Sequence, residues 1–416
     1  MAVLTDIRVL DLTNVLAGPF CGHLLAHLGA EVIKVEVPGR GDLARDLGAD
    51  PELNARLMGT SFLAQNAGKK SITINLKHAE GKALLKRLVE GADVLVENFR
   101  PGVMDRLGVG WEVLRAINPE LVYCAISGFG QDGPWRGRPA YDQIIQGVSG
   151  LMSITGGTDS APLRVGYPVA DTIGGLTAAF AVAAALNGRG RKGGTFIDVS
   201  MLESVLATMG WVVSNWLIAG VRPVPHGNEN FTASPSAAFQ AADGLLNISA
   251  NKQEQWEALC AHLGRADLAE RPEYRTRDDR IANRLRLRAE LETVLTIRPA
   301  AEWADELNAI GVPAGAVMDV PDILAHPQIA ERGFLGTFTQ APGVGRDLRI
   351  ARTGVKLDGE APSVSDPPPL LGQHNAEVLG ALGLSAAEIE RLEAEGRYRA
   401  IFVSVWRDDI SSRCRS

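Results

Sequence analysis

The sequence lacks the patterns that build metal sites, disulfide frameworks and dinucleotide-binding loops. Its four cysteines are scattered without C-x-x-C spacing, which argues against a zinc site and a disulfide framework. Such usage is typical of a protein from a reducing cytoplasm. The loop after the first predicted strand reads T-N-V-L-A-G-P, without the G-x-G-x-x-G of nicotinamide- and flavin-binding folds. We therefore set aside a dinucleotide-dependent dehydrogenase.

The chain also lacks a strongly basic surface, a signal peptide and a long apolar run. Its net charge is −7, with both signs interspersed, so the sequence predicts no nucleic-acid partner. The N-terminus has no basic segment followed by an apolar one. The longest apolar runs, Leu176–Leu186 and Ala207–Val213, are too short to span a membrane. These absences predict a soluble, cytoplasmic protein without a membrane partner.

Short β-type runs alternate with helical segments over the first half of the chain. A strand, loop, helix and strand in this order form a βαβ unit with a parallel sheet. The predicted strands are Ile7–Leu12, Val32–Glu36, Ser71–Asn75, Ala92–Val96, Leu121–Ile126 and Thr195–Val199. Helices are predicted from Pro19 to Leu28, from Ala79 to Glu90 and, as one long helix, from Met201 to Ala219. The pattern predicts an α/β fold with a large, doubly wound, Rossmann-like domain.

A smaller domain is predicted where the amino-acid composition of the sequence changes. A linker rich in Pro, Asn and Gly follows Val221, and a hairpin-like pair of short strands comes next. Further helices are predicted at Gln253–Leu263, Asp279–Leu295 and Ala300–Ile310. The predicted divisions are a large domain at 1–200 completed by 330–400, a small α+β domain at 225–325, and a tail at 397–416 without an assigned role.

Asp171 is a carboxylate placed directly before a long uncharged run. Thr172–Leu186 carries no charge, which predicts a helix buried on every side with Asp171 at or near its N-cap. One interpretation is that Asp171 only caps this helix by accepting backbone N–H bonds. The other is that it is a nucleophile, since a carboxylate is ionised at pH 7 and needs no general base. Its natural reaction would be acyl exchange with a thioester, because the product anhydride is as reactive as the bond it replaces.

Eight short motifs lie in register along the chain. They read V-L-D-L-T-N-V-L-A-G-P with L-G-A-E-V-I-K-V-E, Q-N-A-G-K-K-S-I, D-V-L-V-E-N-F-R-P-G-V-M-D-R-L-G, S-G-F-G-Q-D-G-P, Y-P-V-A-D, F-I-D-V-S-M-L-E-S, G-V-P-A-G-A-V and P-P-L-L-G-Q-H-N. Together they resemble the class III CoA-transferases, the family that includes formyl-CoA transferase, carnitine CoA-transferase and the α-methylacyl-CoA racemases. The resemblance runs from about Ile7 to Glu395.

The resemblance implies that Asp171 is the catalytic, acyl-accepting residue. In the family's mechanism this carboxylate forms an aspartyl anhydride and then an aspartyl–CoA thioester. CoA thioesters and carboxylic acids are the substrates, without a permanently bound cofactor or metal, and the protein is an interlocked homodimer. Among the family, the sequence looks most like the enzymes that transfer CoA from succinyl-CoA to dicarboxylates.

Further site residues are expected from these motifs and from the charges of the substrates. Those expected to bind CoA are Val15, Leu16, Ala17, Gly18, Asn98 and Arg106, with Lys69 and Lys70 as candidates for its phosphates. Those expected to bind the acyl group or acceptor acid are Arg138, Tyr141, Arg164, Gly174 and Gly175. The two glycines and the loop Val15–Gly18 are the predicted N–H donors for the developing oxyanion.

Two alternatives stay open at this stage. A racemase of the same family needs a base pair at the α-carbon, with a histidine where this chain has Tyr141 and an acidic residue where it has Lys252. A tyrosine with a pKa of about 10 is a poor base at pH 7. A non-catalytic acyl-CoA-binding protein would bind CoA without using the carboxylate of Asp171.

Overall fold

The structure is a computed structural model that describes residues 2–394. The predicted tail, 397–416, lies outside the described residues. The strands are β1 Arg8–Asp11, β2 Glu31–Glu36, β3 Lys69–Thr73, β4 Val94–Glu97, β5 Val122–Ser127, β6 Thr195–Ser200, β7 Ser236–Gln240, β8 Leu245–Ser249, β9 Ala314–Ala316, β10 Leu335–Phe338 and β11 Leu348–Ala351. The α-helices are α1 Ala17–His27, α2 Pro51–Ala55, α3 Thr60–Leu63, α4 Ala79–Glu90, α5 Val103–Leu107, α6 Trp111–Ile117, α7 Asp142–Val148, α8 Leu151–Ile154, α9 Val169–Lys192, α10 Met201–Thr208, α11 Trp211–Ala219, α12 Gln253–His262, α13 Ala266–Glu270, α14 Arg277–Ala282, α15 Arg284–Leu295, α16 Ala300–Ala309, α17 Val320–Ala325, α18 Pro327–Glu331, α19 Asn375–Ala381 and α20 Ala386–Ala394.

The described chain divides into two compact units. The first comprises residues 2–149, 166–214 and 328–394, and the second comprises 150–165 and 215–327.

The first unit is built on a sheet of six parallel strands in the order β3-β2-β1-β4-β5-β6. Strand β5, V-Y-C-A-I-S, is buried along its whole length. Such a continuous apolar run is typical of a parallel strand that is covered on both faces. The order is that of the Rossmann fold, so the predicted α/β architecture is confirmed. All six predicted strands are present, with ends shifted by no more than two residues.

The strand order reverses between β1 and β4. At such a point the two loops that follow the strands diverge and leave a crevice at the carboxyl edge of the sheet. Here the two loops are joined by a pair of hydrogen bonds. Asn14 N–H donates to Asn98 Oδ1 at 2.9 Å, and Asn98 Nδ2 donates to the carbonyl oxygen of Asn14 at 2.8 Å. These two bonds therefore fix the positions of the two loops relative to each other.

Helix α9 differs from the prediction at its start and on its surface. It begins at Val169, so Asp171 is its third residue and Pro168 occupies the N-cap. The sequence could not indicate this start, because the N-terminus is capped by a residue distant in the chain, as described below. One face is also open, since Leu176 and Phe180 are 56% and 75% exposed. The prediction of a helix buried on every side was therefore wrong for the single chain.

Helix α9 also extends further than the apolar run that predicted it. Within the described residues, Val169–Arg189 is long and apolar enough to pass a composition test for a membrane span. The core helix of a soluble protein passes the same test. In this unit one side of α9 packs against α1 and α10 and against strands β5 and β6, while Leu176 and Phe180 lie on its exposed side.

Two predicted helices are each divided in the structure. The long helix expected from Met201 to Ala219 consists of α10 and α11, which meet at an angle of 80°. The break lies at Gly210, whose φ of 41° is outside the helical region. Asn283 likewise separates α14 from α15.

The second unit has an antiparallel sheet in the order β7-β8-β9. Its core is formed by apolar side chains from that sheet and from the helices, including Trp256, Leu291 and Trp303. The buried guanidinium of Arg280 donates to the carbonyl oxygens of Ser234 and Tyr274, at 2.8 and 3.1 Å. These bonds provide acceptors for the N–H groups of the buried guanidinium.

Candidate active site

A cavity of about 330 Å³ lies at the carboxyl edge of the sheet, in the first unit. Its walls come from the loops after β1 and β4, the end of β5 and the first turn of α9. The lining residues are Asn14, Val15, Leu16, Ala17, Leu43, Asn98, Phe99, Ile126, Ser127, Gly128, Ala140, Tyr141, Asp171 and Met201. The structure thus brings Asp171 together with the predicted loop residues Val15–Ala17, with Asn98 and with Tyr141.

The carboxylate of Asp171 is half-buried and unpartnered. Among the described residues, none forms a hydrogen bond or an ion pair with its oxygens. Burial, and then the negative charge of Asp142, raise its pKa to about 7. The sequence predicted a carboxylate ionised at pH 7, whereas in the structure its surroundings favour the protonated form more than water does. The difference arises because desolvation without a nearby cation disfavours the charged form.

Asp142, the first residue of α7, supplies the cap that α9 lacks locally. Its Oδ1 accepts the N–H of Ala170 at 2.8 Å and lies 3.5 Å from the N of Asp171. Its Oδ2 accepts a bond from Gln146 Nε2 at 2.7 Å. A carboxylate at a helix N-terminus satisfies backbone donors that have no partner within the helix. Asp142 therefore both fixes the turn that carries Asp171 and raises the pKa of Asp171.

The loop after β1 turns sharply where it meets the cavity. Val15 has a φ of 68°, in the left-handed region that β-branched residues avoid. Helix α1 begins two residues later. No described residue accepts a hydrogen bond from the N–H groups of Leu16, Ala17 or Gly18. Free donors at a helix N-terminus favour a negative charge in front of them.

Lys69 does not fit the predicted role of a phosphate ligand. Its side chain is fully buried, and its Nζ donates to Asp11 Oδ2 and to the carbonyl oxygen of Pro19, both at 2.9 Å. Burial lowers its pKa, and the charge of Lys34 lowers it further against the effect of Asp11. Lys69 thus holds the first turn of α1 from below and has no access to a substrate.

Lys70 also lies away from the cavity. Its ammonium group pairs with Glu31 and with Glu377, each at 2.7 Å. It belongs to the amino-terminal part of β3, whereas the cavity opens at the carboxyl edge. Parallel strands place these two edges on opposite sides of the sheet, so the prediction of a phosphate contact does not fit the structure.

The two glycines of α9 allow close helix packing and are not donors to the cavity. A Cβ on Gly175 would lie 2.3 Å from the carbonyl oxygen of Ala17, and one on Gly174 would lie 2.9 Å from Met201. Both follow the first turn of α9, so their N–H groups have helical acceptors. The expectation that they bind the oxyanion does not fit this position.

Three other predicted residues are not brought to this lining. Gly18 is buried against Thr13. Arg106 is exposed on α5 and lines neither this cavity nor its neighbour. Arg164 belongs to the second unit, so its role toward Asp171 stays a prediction.

A second cavity, of about 170 Å³, adjoins the first and carries an excess of positive charge. The two share Asn98, Ser127, Gly128 and Tyr141 among their lining residues. Its remaining wall includes three exposed arginines, Arg100, Arg136 and Arg138, none with a carboxylate partner among the described residues. The Arg138 guanidinium lies 4.5 Å above the Trp135 ring. Of these three arginines, only Arg138 was predicted as a site residue from the sequence.

Sequence reasoning also missed residues at the strand ends and the role of Asp142. Ser127 is the last residue of β5, Gly128 follows it, and Phe99 lies two residues after the end of β4. The carboxyl ends of parallel strands meet at one edge of the sheet. That rule could have found them. The cap formed by Asp142 had no local signal, because 29 residues separate it from Asp171.

Comparison with known proteins identifies the family. The fold and the cavity with Asp171 are those of an α/β enzyme. The fold alone does not reveal which reaction such an enzyme catalyses. The family described as CoA-transferase family III matches residues 4–375. The chain belongs to this family, and it is therefore a CoA-transferase whose class uses CoA thioesters as substrates.

Individual relatives match over most of their length. An acetyl-CoA:oxalate CoA-transferase from Acetobacter aceti is 43% identical, over 79% of this chain and 84% of its own. A succinyl-CoA:mesaconate CoA-transferase from Haloarcula marismortui is 38% identical, over 95% of this chain and 100% of its own. The crystal structure of a CAIB/BAIF family protein from Brucella suis is similar with a TM-score of 0.79 at 34% identity, covering 90% of this chain and 98% of that one.

Proposed function

We propose that this enzyme transfers CoA from an acyl-CoA, succinyl-CoA in the first instance, to a dicarboxylic acid, with Asp171 as the covalent nucleophile. The observation that carries the nucleophile is its unpartnered carboxylate in the cavity at the carboxyl edge. The relatives support the acid, since oxalate and mesaconate are both dicarboxylic acids, although their donors differ.

In the first half of the proposed reaction, the ionised carboxylate of Asp171 attacks the thioester carbonyl carbon. The carbon–sulfur bond breaks, CoA leaves as its thiolate, and an aspartyl–acyl anhydride remains. The thiolate then attacks the aspartyl carbonyl of the anhydride, which gives an aspartyl–CoA thioester and the free donor acid. The acceptor carboxylate repeats these two steps in reverse, so charge balances without an external base.

The surroundings of Asp171 support these steps. The free N–H groups of Leu16 and Ala17 are donors of the kind that stabilise a developing oxyanion. The raised pKa indicates a desolvated carboxylate, which is a stronger nucleophile once it is ionised. The apolar walls, including Ile126 and Met201, limit the access of water to an anhydride that water would hydrolyse.

The adjoining arginine cavity supports a substrate with further negative charge. A charged hydrogen bond to a distal carboxylate contributes about 1.5–3 kcal/mol, a preference of about ten- to a hundred-fold over a monocarboxylate. Arg138 is the proposed ligand, with Arg164 as the alternative from the sequence. The phosphates of CoA have the same chemistry, so the experiment must separate the two sources of charge.

The test is a panel of acceptor acids with succinyl-CoA as donor, read by mass spectrometry of the CoA esters. Arg138→Leu should raise KM for dicarboxylates and leave a monocarboxylate nearly unchanged. An equal loss for every acceptor, together with weaker CoA binding, would assign Arg138 to the phosphates instead. If succinyl-CoA donates to no acid while acetyl-CoA or a fatty acyl-CoA does, the succinyl-CoA donor assignment is wrong and only CoA transfer survives.

We also propose the interlocked homodimer that the resemblance implies, in the cytoplasm. The exposed apolar face of α9, with Leu176 and Phe180, supports a second copy as its cover, as do Ile144 and Val148 on α7. Free buried cysteines support a reducing compartment. Sedimentation should give a dimer at micromolar concentration, and Phe180→Glu should weaken it. A stable wild-type monomer would refute the assembly.

A further inference from the structure

Four buried charged side chains surround the loop Thr13–Gly18, namely Asp11, Lys34, Asp42 and Lys69. Lys34 Nζ donates to the carbonyl oxygen of Thr13 at 2.8 Å and lies 2.9 Å from Asp42 Oδ2. Asp11 accepts the N–H and the hydroxyl of Thr13 and pairs with Lys69. The four charged side chains are between 0% and 1% exposed, and two ammonium groups balance two carboxylates.

Asp42 contacts the loop at Val15, the residue with the least favourable backbone conformation. Its Oδ1 accepts the N–H of Val15 at 2.8 Å, across 27 positions of sequence. The same oxygen accepts the N–H of Ala44 at 2.9 Å, and Glu36 Oε2 accepts the N–H of Asp42 itself. Because Val15 is left-handed, its conformation needs an external restraint, and strained residues persist only where their surroundings enforce them.

We propose that Asp42 and Lys34 are positioning residues for the transfer reaction. They hold Val15 and Thr13 in the one loop shape that leaves the N–H groups of Leu16 and Ala17 free in the wall of the Asp171 cavity. This inference rests on the proposed function for its effect on rate. Neither residue touches the substrate; Asp42 and Lys34 act through the loop.

The test compares Asp42→Ala with Asp50→Ala. Asp50 is the control because, like Asp42, it accepts two backbone N–H groups, those of Glu52 and Leu53, and pairs with one cation, Arg346. Within the described part of the chain, it forms no hydrogen bond or ion pair with the loop. Asp42→Ala should lower kcat by about ten- to a hundred-fold, the scale expected when donors move by about 1 Å. The Kd for CoA should change less than kcat. Hydrogen–deuterium exchange in the peptide 12–20 should rise, whereas Asp50→Ala should alter none of these readouts.

A glycine at position 15 separates positioning from general stability. Glycine adopts a positive φ without strain, so the loss from Asp42→Ala should be smaller in a Val15→Gly background than in the wild type. A merely structural Asp42 would cost the same in both backgrounds, and that result would overturn the proposal. So would a folded Asp42→Ala variant with wild-type kcat and wild-type exchange.

A second variant and the exchange measurement cover the two cases in which Asp42→Ala does not fold or the enzyme shows no activity. If Asp42→Ala fails to fold, Asp42→Asn keeps an oxygen for Val15 but replaces the charged acceptor opposite Lys34 with an amide NH2 group, which cannot accept from the ammonium. We expect that variant to fold with a reduced kcat and faster exchange, and wild-type values of both would refute positioning. If the wild-type enzyme transfers CoA to no acid, the proposed function fails, and the exchange data still decide whether Asp42 holds the loop.

Discussion

Asp11 and Asp171 are aspartates of the same unit, both withdrawn from water, with opposite electrostatics. Burial alone would raise the pKa of Asp11, but the ammonium groups of Lys34 and Lys69 bring it below its ordinary value. Within residues 2–394 no cation pairs with Asp171, and burial together with Asp142 raises its pKa to about 7. The difference shows how one residue type serves two purposes, since a paired carboxylate is inert and an unpaired one retains reactivity.

The largest expected effect comes from removing the unpaired carboxylate. Asp171→Ala should lower transfer by about a thousand-fold or more, because no other described side chain of the cavity lining carries a carboxylate. CoA binding should persist, since the loop Val15–Ala17 is untouched. Steady-state transfer and calorimetric CoA binding measure the two. More than a few per cent of wild-type turnover in this variant would rule out the mechanism.

The same substitution at the two aspartates should have opposite consequences for stability. Asp11→Asn leaves the buried Lys69 without its carboxylate and should reduce the free energy of unfolding by about 3–5 kcal/mol. Asp171→Asn should be neutral or stabilising at pH 8. An acid whose pKa is raised by folding loses stability as pH rises from its unfolded value through the folded one. Thermal unfolding at pH 8 measures both, and equal losses would show that the two sites do not differ.

A smaller effect is expected in the pH dependence of the reaction. The carboxylate form of Asp171 is the nucleophile, so kcat/KM should rise with pH and level off above about 7. Asp142→Asn removes the like charge but can still accept the N–H of Ala170, so the midpoint should move to lower pH. The move should be partial, because burial is the larger cause. A midpoint that stays or moves upward would contradict this assignment.

Much of the fold could be predicted from the sequence because its signals are local. The six strands were predicted from short β-type runs, and the alternation of these runs with helical segments predicts a parallel sheet. Asp171 and the loop Val15–Ala17 could also be predicted, since both stand in motifs that resemble one family. The structure adds that these two segments line one cavity.

Several misses at the site share one physical origin, namely contacts between residues far apart in the chain. Lys69 resembles a surface lysine in sequence, and only the sheet shows that it lies against Asp11, at a separation of 58 residues. Gly175 was predicted as an N–H donor to the oxyanion, and only the packing of α9 on α1 shows that a Cβ cannot fit there. The raised pKa of Asp171 likewise depends on burial and on Asp142, neither of which a local pattern reveals.

The proposed mechanism requires that Asp171 forms the covalent intermediate. The most direct measurement is incubation of the wild-type enzyme with succinyl-CoA and hydroxylamine, followed by peptide mass mapping. We expect a hydroxamate at Asp171 that depends on the acyl-CoA, and none in Asp171→Ala. A hydroxamate on another residue, or CoA transfer that proceeds while no residue is trapped, would contradict it.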